Sequence, residues 1–160
     1  IAFAYNDVTR VLVHQMKFHG RTDIATEIGQ QTVKRIRDSF DREYFSCVVP
    51  VPLHPVRVRE RGFDQNHVIA SSIAASFKLP LRDDLIIRVK NSAPQSRLSD
   101  RERLTNLRGA FAPHPDARLQ TSKPVMLVDD VIHTGATVAC CIDALKCSGI
   151  RETVVVVSFG

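Results

Sequence analysis

Aromatic residues and long apolar runs are both scarce in this sequence. Aromatic residues make up 6% of the 160 residues and tryptophan is absent, so a surface on which nucleic-acid bases stack gains little support. No apolar run approaches the roughly 20 residues that a membrane-spanning helix needs. The first residues, IAFAYNDVTRVL, lack the basic start and apolar centre of a signal peptide. We therefore predict no membrane span, and the start at Ile1 rather than Met is typical of a fragment that lacks an upstream segment.

Cysteine is also rare, and its spacing carries no metal motif. The four cysteines are Cys47, Cys140, Cys141 and Cys147. None of them forms the C-x-x-C pair that is typical of zinc ligands. We expect buried free thiols in a protein of the reducing cytoplasm.

The glycines exclude two common nucleotide-binding motifs. The seven glycines form neither G-x-x-x-x-G-K-S/T nor G-x-G-x-x-G, so the sequence has no P-loop and no dinucleotide-binding fingerprint. Charge is more informative, because 22 Lys and Arg residues against 17 Asp and Glu residues give a net charge of +5. This balance favours an anionic partner, either a phosphorylated small molecule or a nucleic acid. A solvated cationic surface would give the same balance.

The apolar pattern predicts one α/β domain. Helical spacing of apolar residues covers 7–18, 22–40, 67–79 and 137–149, and short β-branched runs cover 45–53, 84–89, 124–130 and 153–159. A short extended return is expected at 109–112. Because continuous apolar strands alternate with helices, we predict a parallel sheet with helices on both faces.

The stretch VMLVDDVIHTGATV (125–138) is the most informative part of the sequence. Asp129 and Asp130 are expected to end a buried strand, and ligands of open parallel sheets bind beyond such ends. Two close carboxylates repel each other unless donors or a cation lie between them, and ribose hydroxyls or a sugar-bound magnesium ion would fill that place. The turn that follows consists of Thr134, Gly135, Ala136 and Thr137. Its glycine allows close approach of the backbone, and the helix start offers free amides to a phosphate. The stretch therefore predicts a site for ribose 5-phosphate.

Two other interpretations of the acid pair are weaker. A receiver-type phosphorylation domain also carries paired aspartates after a strand, but that strand comes first in the domain, and here only residues 131–160 follow it. A purely structural cap at the helix start is the second alternative.

The same residues resemble a known family. LVDDVIHTGATV is similar to the phosphoribosyl pyrophosphate signature of type I phosphoribosyltransferases, which is a strand, two acids, two apolar residues, a variable residue, and Thr-Gly with a small residue. The stretches 5–20, 49–70 and 91–111 resemble ComF-type competence proteins. This resemblance implies a type I phosphoribosyltransferase-like domain over residues 1–160, with a flexible hood loop at about 90–110. Members of the family commonly carry an N-terminal zinc ribbon, which this chain lacks.

The resemblance also implies roles for particular residues. The pyrophosphate loop would contain Leu53, His54, Arg57 and Arg61, although a single arginine there is equally typical of a solvated edge. The hood contains Arg88 among its basic residues, and its ligand-covering residues would be Lys90, Gln95 and Arg103. Asp129 and Asp130 would hold Mg²⁺ directly, through the ligand or through water. His133 would handle the proton of the nucleophile, with an exposed turn histidine as the alternative.

The leading functional hypothesis is a phosphoribosyltransferase-type domain that binds phosphoribosyl pyrophosphate or a 5′-phosphoribosyl nucleotide with magnesium, in a protein of natural transformation. One alternative is a non-catalytic module that binds single-stranded DNA or the DNA-uptake machinery, and another is a nucleotide sensor. The sequence does not separate binding from turnover and does not identify an acceptor. It also leaves the oligomeric state open, a homodimer included.

Overall fold

The computed structural model of the protein describes residues 1–91, 107, 109–132 and 134–159. Its helices and strands follow one another in the order α1 (Asp7–Phe18), α2 (Thr22–Ile36), β1 (Cys47–Pro50), α3 (Pro55–Arg61), α4 (Gln65–Phe77), β2 (Ile86–Arg88), β3 (Phe111–Pro113), β4 (Val125–Val131), α5 (Ala136–Cys147) and β5 (Thr153–Phe159). Two short 3-10 turns, Arg37–Ser39 and Arg42–Tyr44, lie between α2 and β1. Within these ranges no helix has both the length and the apolar character needed to cross a membrane.

A three-stranded parallel sheet in the order β1–β4–β5 forms the centre of the fold. The central strand β4 pairs with β1 from Val125 to Val128, and its pairing with β5 extends to Val131. Every residue of β1 and all but the last of β4 are buried, as expected for a sheet covered on both faces. The predicted α/β class with a parallel sheet is confirmed.

Alternating strand residues face two separate apolar cores, one on each side of the sheet. Val48, Met126 and Val128 belong to the core formed with α1, α2 and α4. Val49 and Leu127 belong to the core formed with α5 and the β2–β3 pair. Helices therefore cover both faces, as predicted.

The strand expected at 84–89 does not join the parallel sheet, which corrects the prediction. Ile86–Arg88 pairs in antiparallel fashion with Phe111–Pro113 and forms a separate two-stranded sheet. Ile86 and Phe111 are buried in the core that also contains Leu145 of α5. The pair therefore packs over one face of the parallel sheet instead of extending its edge. The extended return predicted at 109–112 corresponds to β3.

The segment expected to be a pyrophosphate loop is largely helical, which is a second correction. Pro55 is the first residue of α3, where its missing N–H group costs no hydrogen bond. The Nδ1 atom of His54 accepts a hydrogen bond from Val56 N at 3.3 Å, and Gly62 ends the helix in the left-handed conformation at φ 79°. Arg57 and Arg61 therefore lie on a short helix.

The cysteines are free thiols, as predicted, but only two of them are buried. Cys47 and Cys141 are buried, Cys140 is half-buried and Cys147 is exposed. Cys147 is the last residue of α5, beyond the helical turns that pack on the sheet.

Candidate functional site

The acid pair lies in β4 immediately beyond the end of β1. The last β1–β4 pair joins Pro50 to Val128, and β1 cannot follow further as a hydrogen-bonded strand because Pro52 has no N–H group. β4 itself continues to Val131, one residue beyond the predicted end at Asp130. Asp129 and Asp130 are both buried, with 6% and 4% of their surfaces exposed.

Asn66 takes the place of a neighbouring strand beside the two acids. Its Nδ2 atom donates to Val51 O at 2.9 Å and to Asp129 Oδ1 at 3.1 Å. Its Oδ1 atom accepts from Asp130 N at 3.1 Å, and Asp130 N also donates to Asp129 Oδ1 at 3.0 Å. A side chain of α4 thus satisfies backbone groups that β1 leaves unpaired, and it supports one oxygen of a buried carboxylate.

Asp130 is held by a cation of the protein itself. Lys17 Nζ of α1 lies 2.8 Å from Asp130 Oδ2, and Gln65 Nε2 donates to the same oxygen at 3.2 Å. The sequence interpretation assigned the place between the acids to a ligand hydroxyl or a metal ion. The structure supplies Lys17 to one of the two acids, so any ligand must use what this ion pair leaves available.

One oxygen of each carboxylate remains available. Within the described part of the chain, Asp129 Oδ2 and Asp130 Oδ1 accept no hydrogen bond, because the donors all converge on the other oxygen of each group. An ionised carboxylate accepts at both oxygens, and a buried acceptor without a partner costs about 1–3 kcal/mol. The two acids therefore leave two buried oxygens, one on each carboxylate, without a partner among the described residues.

The two charges also oppose each other. Burial and the neighbouring charge of Asp130 raise the pKa of Asp129 to about 7, and the positive charge of Lys17 acts in the opposite direction. A hydrogen-bond donor at the free oxygen of Asp129 would favour its ionised form.

The predicted phosphate turn lies against the first acid. Gly135 is the N-cap of α5 at φ 74° and has no side chain to cap the helix, while Thr134 Oγ1 accepts a hydrogen bond from Ala136 N at 3.5 Å. Asp129, Thr134, Gly135, Ala136 and Thr137 line one cleft. Asp129 and the four predicted phosphate-binding residues are thus brought together, whereas Asp130 lies outside the lining of this cleft.

Two half-buried arginines lie near the acid pair. Burial lowers the pKa of Arg61 and of Arg88, while the negative charge of Asp130 raises that of Arg61 and the charge of Asp129 raises that of Arg88. The Arg88 guanidinium lies over the Phe111 ring, 5.4 Å from its centroid. Neither arginine forms a salt bridge with a described residue, whereas Arg57 pairs with Glu60 at 2.7 Å. These arginines give the site positive charge beside the acids.

The other predicted residues have local roles or lie outside the description. Leu53 N donates to Asp64 Oδ2 at 3.3 Å, and His54 caps α3. Lys90 is exposed just after β2, with its Nζ atom close to Gly109. Gln95, Arg103 and His133 lie outside the described residues.

A magnesium site made by the protein alone does not fit these residues. No group of three or more His, Cys, Asp or Glu residues in the described ranges could hold a metal ion. Mg²⁺ in proteins is often bound by one or two carboxylates together with substrate phosphates. Asp129 and Asp130 are two carboxylates of this kind, and each has one oxygen without a hydrogen-bond partner among the described residues.

Three residues that contact the acids were not selected from the sequence as site residues: Lys17, Gln65 and Asn66. Arg88 was named only among the basic residues of the hood. Gln65 and Asn66 are polar residues at the start of a helix with an apolar buried face, and the structural feature that marks them is their burial, with 2% exposed. Lys17 carries no comparable signal, because a lysine in the last turn of an amphipathic helix is ordinary.

Comparison with known proteins gives the family. The chain is 34% identical over 141 residues to the DNA utilization protein YhgH of Salmonella typhimurium, which covers 84% of this chain and 60% of that protein. It is 27% identical over 151 residues to competence protein F of Haemophilus influenzae, with 92% and 66% covered. The chain is thus a homologue of the ComF-type competence proteins, and the predicted resemblance is confirmed.

The limits of these matches are also clear. The chain spans about 60% of the length of the YhgH relative. No family model matches the chain. Among solved structures, a hypoxanthine phosphoribosyltransferase of Staphylococcus aureus matches with a TM-score of 0.45 and 16% identity, over 82% of this chain and 62% of that one.

Proposed function

We propose that the chain binds phosphoribosyl pyrophosphate or a 5′-phosphoribosyl nucleotide in a phosphoribosyltransferase-type site. The observation that carries this proposal is the pair of buried carboxylate oxygens, Asp129 Oδ2 and Asp130 Oδ1, that have no hydrogen-bond partner in the described structure. Each of these two oxygens can accept one hydrogen bond. Two neighbouring hydroxyl groups of a ribose can donate one hydrogen bond each. The resemblance of the signature to that of type I phosphoribosyltransferases supports the same ligand.

The 5-phosphate of this ligand binds at the start of α5. Thr134 Oγ1 accepts from Ala136 N at 3.5 Å, and the following N–H groups of the first turn, with the positive end of the helix dipole, are offered to an anion. The buried carboxylate of Asp129 lines the same cleft. It therefore receives a ribose hydroxyl while the turn holds the phosphate of the same molecule.

The diphosphate of phosphoribosyl pyrophosphate faces the arginines. Arg61 and Arg88 are half-buried cations that have no salt-bridge partner among the described residues. An anion compensates the cost of burying them. Asp129 and Asp130 would hold magnesium through the ligand or through water, and the ion would supply charge neutralisation on the diphosphate.

Turnover would require charge stabilisation on the leaving diphosphate. Preorganised cations beside the leaving diphosphate are the main source of rate acceleration in such a reaction. Among the described residues, Arg61 and Arg88 are the ones we assign to this role. The acceptor is not defined by the described residues. The proposal is therefore one of ligand class, with phosphoribosyl transfer as the activity to assay.

Isothermal titration of phosphoribosyl pyrophosphate with magnesium tests the proposal. We expect binding by the unaltered chain and a large loss of affinity in the double variant Asp129→Asn and Asp130→Asn. The exposed acid Asp143 of α5 supplies a control, because Asp143→Asn removes a carboxylate on the same helix as the phosphate turn. Absence of binding by the unaltered chain, or equal binding by the double variant, contradicts the proposal.

The names of the relatives favour a second, compatible role in DNA uptake. The relatives are a DNA utilization protein and a competence protein, and α3 carries Arg57, Arg59 and Arg61 along one short helix. We propose that this basic helix contacts a nucleic-acid backbone in the longer protein. Binding of a single-stranded oligonucleotide should then weaken steeply with salt and further on Arg59→Met, which changes an exposed arginine. Salt-independent binding, or no binding at low salt, removes this role.

A further inference from the structure

Gln65 is a buried glutamine whose carboxamide is bonded at both ends. Its exposed fraction is 2%, and it is the first residue of α4. The Oε1 atom accepts a hydrogen bond from Arg61 Nη1 at 2.9 Å, and the Nε2 atom donates to Asp130 Oδ2 at 3.2 Å. These contacts fix the orientation of the amide, because a guanidinium only donates and a carboxylate only accepts.

Gln65 therefore stands between a cation and an anion that attract each other. The charge of Asp130 raises the pKa of Arg61, so the two groups lie within electrostatic reach. A direct, partly buried ion pair would be their default arrangement, since Arg favours bidentate carboxylate contacts. In the structure no such pair forms, and Asp130 is paired with Lys17 instead.

The separation keeps both groups available for a ligand. Arg61 retains donors for an anion, and Asp130 retains its Oδ1 atom for a hydroxyl group. If Arg61 turned onto Asp130, both would be consumed by one internal contact. A glutamine suits this position because it is neutral and because it offers an acceptor on one side and a donor on the other.

We propose that Gln65 is a positioning residue that prevents an Arg61–Asp130 ion pair and so keeps Arg61 available for the diphosphate of the ligand. This inference rests on the proposed function and deepens it by assigning a role in the same site. Gln65 itself touches no ligand in this arrangement. Its substitution acts through Arg61.

Titration with inorganic diphosphate in the presence of magnesium tests the role. In Gln65→Met, Arg61 loses its acceptor and pairs with Asp130, so we expect the affinity for diphosphate to fall about tenfold. The same substitution is then measured in the Asp130→Asn background, where Arg61 has no carboxylate to pair with, so Gln65→Met should lower the affinity there by much less than tenfold. A purely structural loss would be equally large in both backgrounds.

Two further variants complete the experiment. Gln65→Glu keeps the shape of the side chain and forms an ion pair with Arg61 through its new carboxylate, so it should also lower the affinity for diphosphate. This variant replaces Gln65→Met in the test if Gln65→Met does not fold. Gln31→Met is the matched control, because Gln31 likewise donates from Nε2 to a carboxylate, that of Glu27 at 2.7 Å, on α2. Its diphosphate affinity should equal that of the unaltered chain.

The outcomes separate the two proposals. Unchanged diphosphate affinity in both Gln65 variants, or an equal loss on Gln65→Met in the Asp130→Asn background, overturns the role of Gln65 while the unaltered chain still binds. Failure of the unaltered chain to bind phosphoribosyl pyrophosphate or diphosphate overturns the proposed function, and the role of Gln65 with it.

Discussion

Lys17 Nζ lies 2.8 Å from Asp130 Oδ2 and joins the last turn of α1 to the buried acid pair of β4. The side chain of Asp130 is 6% exposed and that of Lys17 is 21% exposed. Two adjacent buried carboxylates would repel each other strongly without a cation. Lys17 is therefore a part of the site that comes from the other end of the chain.

Removing this lysine should destabilise the fold. Lys17→Met leaves Asp130 buried beside Asp129 without its cation, and breaking a buried ion pair costs about 3–5 kcal/mol. Because Lys17 is partly exposed, we expect a value near the lower limit, about 3 kcal/mol in the free energy of unfolding, measured with urea. Lys34→Met changes an exposed lysine of α2 and should alter it by less than about 0.5 kcal/mol. Equal stabilities of the two variants would show that the ion pair contributes nothing.

The raised pKa of Asp129 predicts a pH dependence with a definite sign. Its pKa is about 7 in the folded chain, against an ordinary value of 3.8, so the folded state holds a proton there that the unfolded state has lost. The contribution of Asp129 to stability must fall as the pH rises from about 4 to about 7, and it should change little above that. Asp129→Asn removes this titration.

Urea unfolding at several pH values between 5 and 8 measures this effect. We expect Asp129→Asn to gain stability relative to the unaltered chain as the pH rises. The exposed acid Asp143 provides the control, and Asp143→Asn should follow the unaltered chain. Parallel profiles for Asp129→Asn and the unaltered chain would refute the raised pKa.

The two glycines that flank α5 allow an effect of the phosphate turn on ligand binding to be separated from an effect on the stability of the fold. Gly135 before the helix and Gly149 after it have φ values of 74° and 87°. Among the described residues, a Cβ atom at Gly135 would meet Ile132 Cδ1 at 3.9 Å, and one at Gly149 would meet no atom within 4 Å. Alanine at either position should therefore cost about 1–2 kcal/mol of stability through backbone strain alone.

Only the first substitution should affect ligand binding. Gly135→Ala changes the backbone that faces the phosphate, so it should weaken binding of phosphoribosyl pyrophosphate in titration calorimetry. Gly149→Ala lies at the opposite end of the helix and should bind as the unaltered chain does. Equal affinities of the two variants would remove the turn from the site.

The sequence predicted the parts of the site that are contiguous and missed the parts that come from distant elements. Asp129, Asp130 and the turn at 134–137 belong to one short signature, so their proximity follows from local geometry. Asn66, Gln65 and Lys17 reach the acids from α4 and α1, and no local rule relates a residue in one helix to a strand more than sixty positions away. Their roles depend on the packing of α1 and α4 on one face of the sheet.

The errors in the predicted fold have similar causes. The apolar run at 84–89 is typical of a buried strand, and nothing in its composition distinguishes a strand of the central sheet from one packed over its face. The helix α3 was predictable in principle, since Pro55 and Gly62 are the residues expected just inside a helix start and just after its end. The family resemblance predicts a loop there, whereas these local residues favour the helix that the structure has.

Arg88 should be a binding residue of the anionic ligand. Arg88→Met keeps an apolar stem beside Phe111 but removes the charge, so the affinity for diphosphate should fall about tenfold, the effect of losing a hydrogen bond to a charged group. Arg10 of α1 forms an exposed ion pair with Asp7, and Arg10→Met is the control that should leave affinity unchanged. Equal loss in the two variants would indicate a general effect of net charge.

The most direct measurement compares ribose 5-phosphate with 2-deoxyribose 5-phosphate as ligands of the unaltered chain. If the free oxygens of Asp129 and Asp130 bind neighbouring hydroxyls, the loss of one hydroxyl leaves a buried carboxylate oxygen unpaired, and we expect about tenfold weaker binding of the deoxy sugar. Both compounds carry the same phosphate, so the turn at 134–137 contributes equally to each. Equal affinities of the two compounds would contradict the assignment of the acid pair to the ribose.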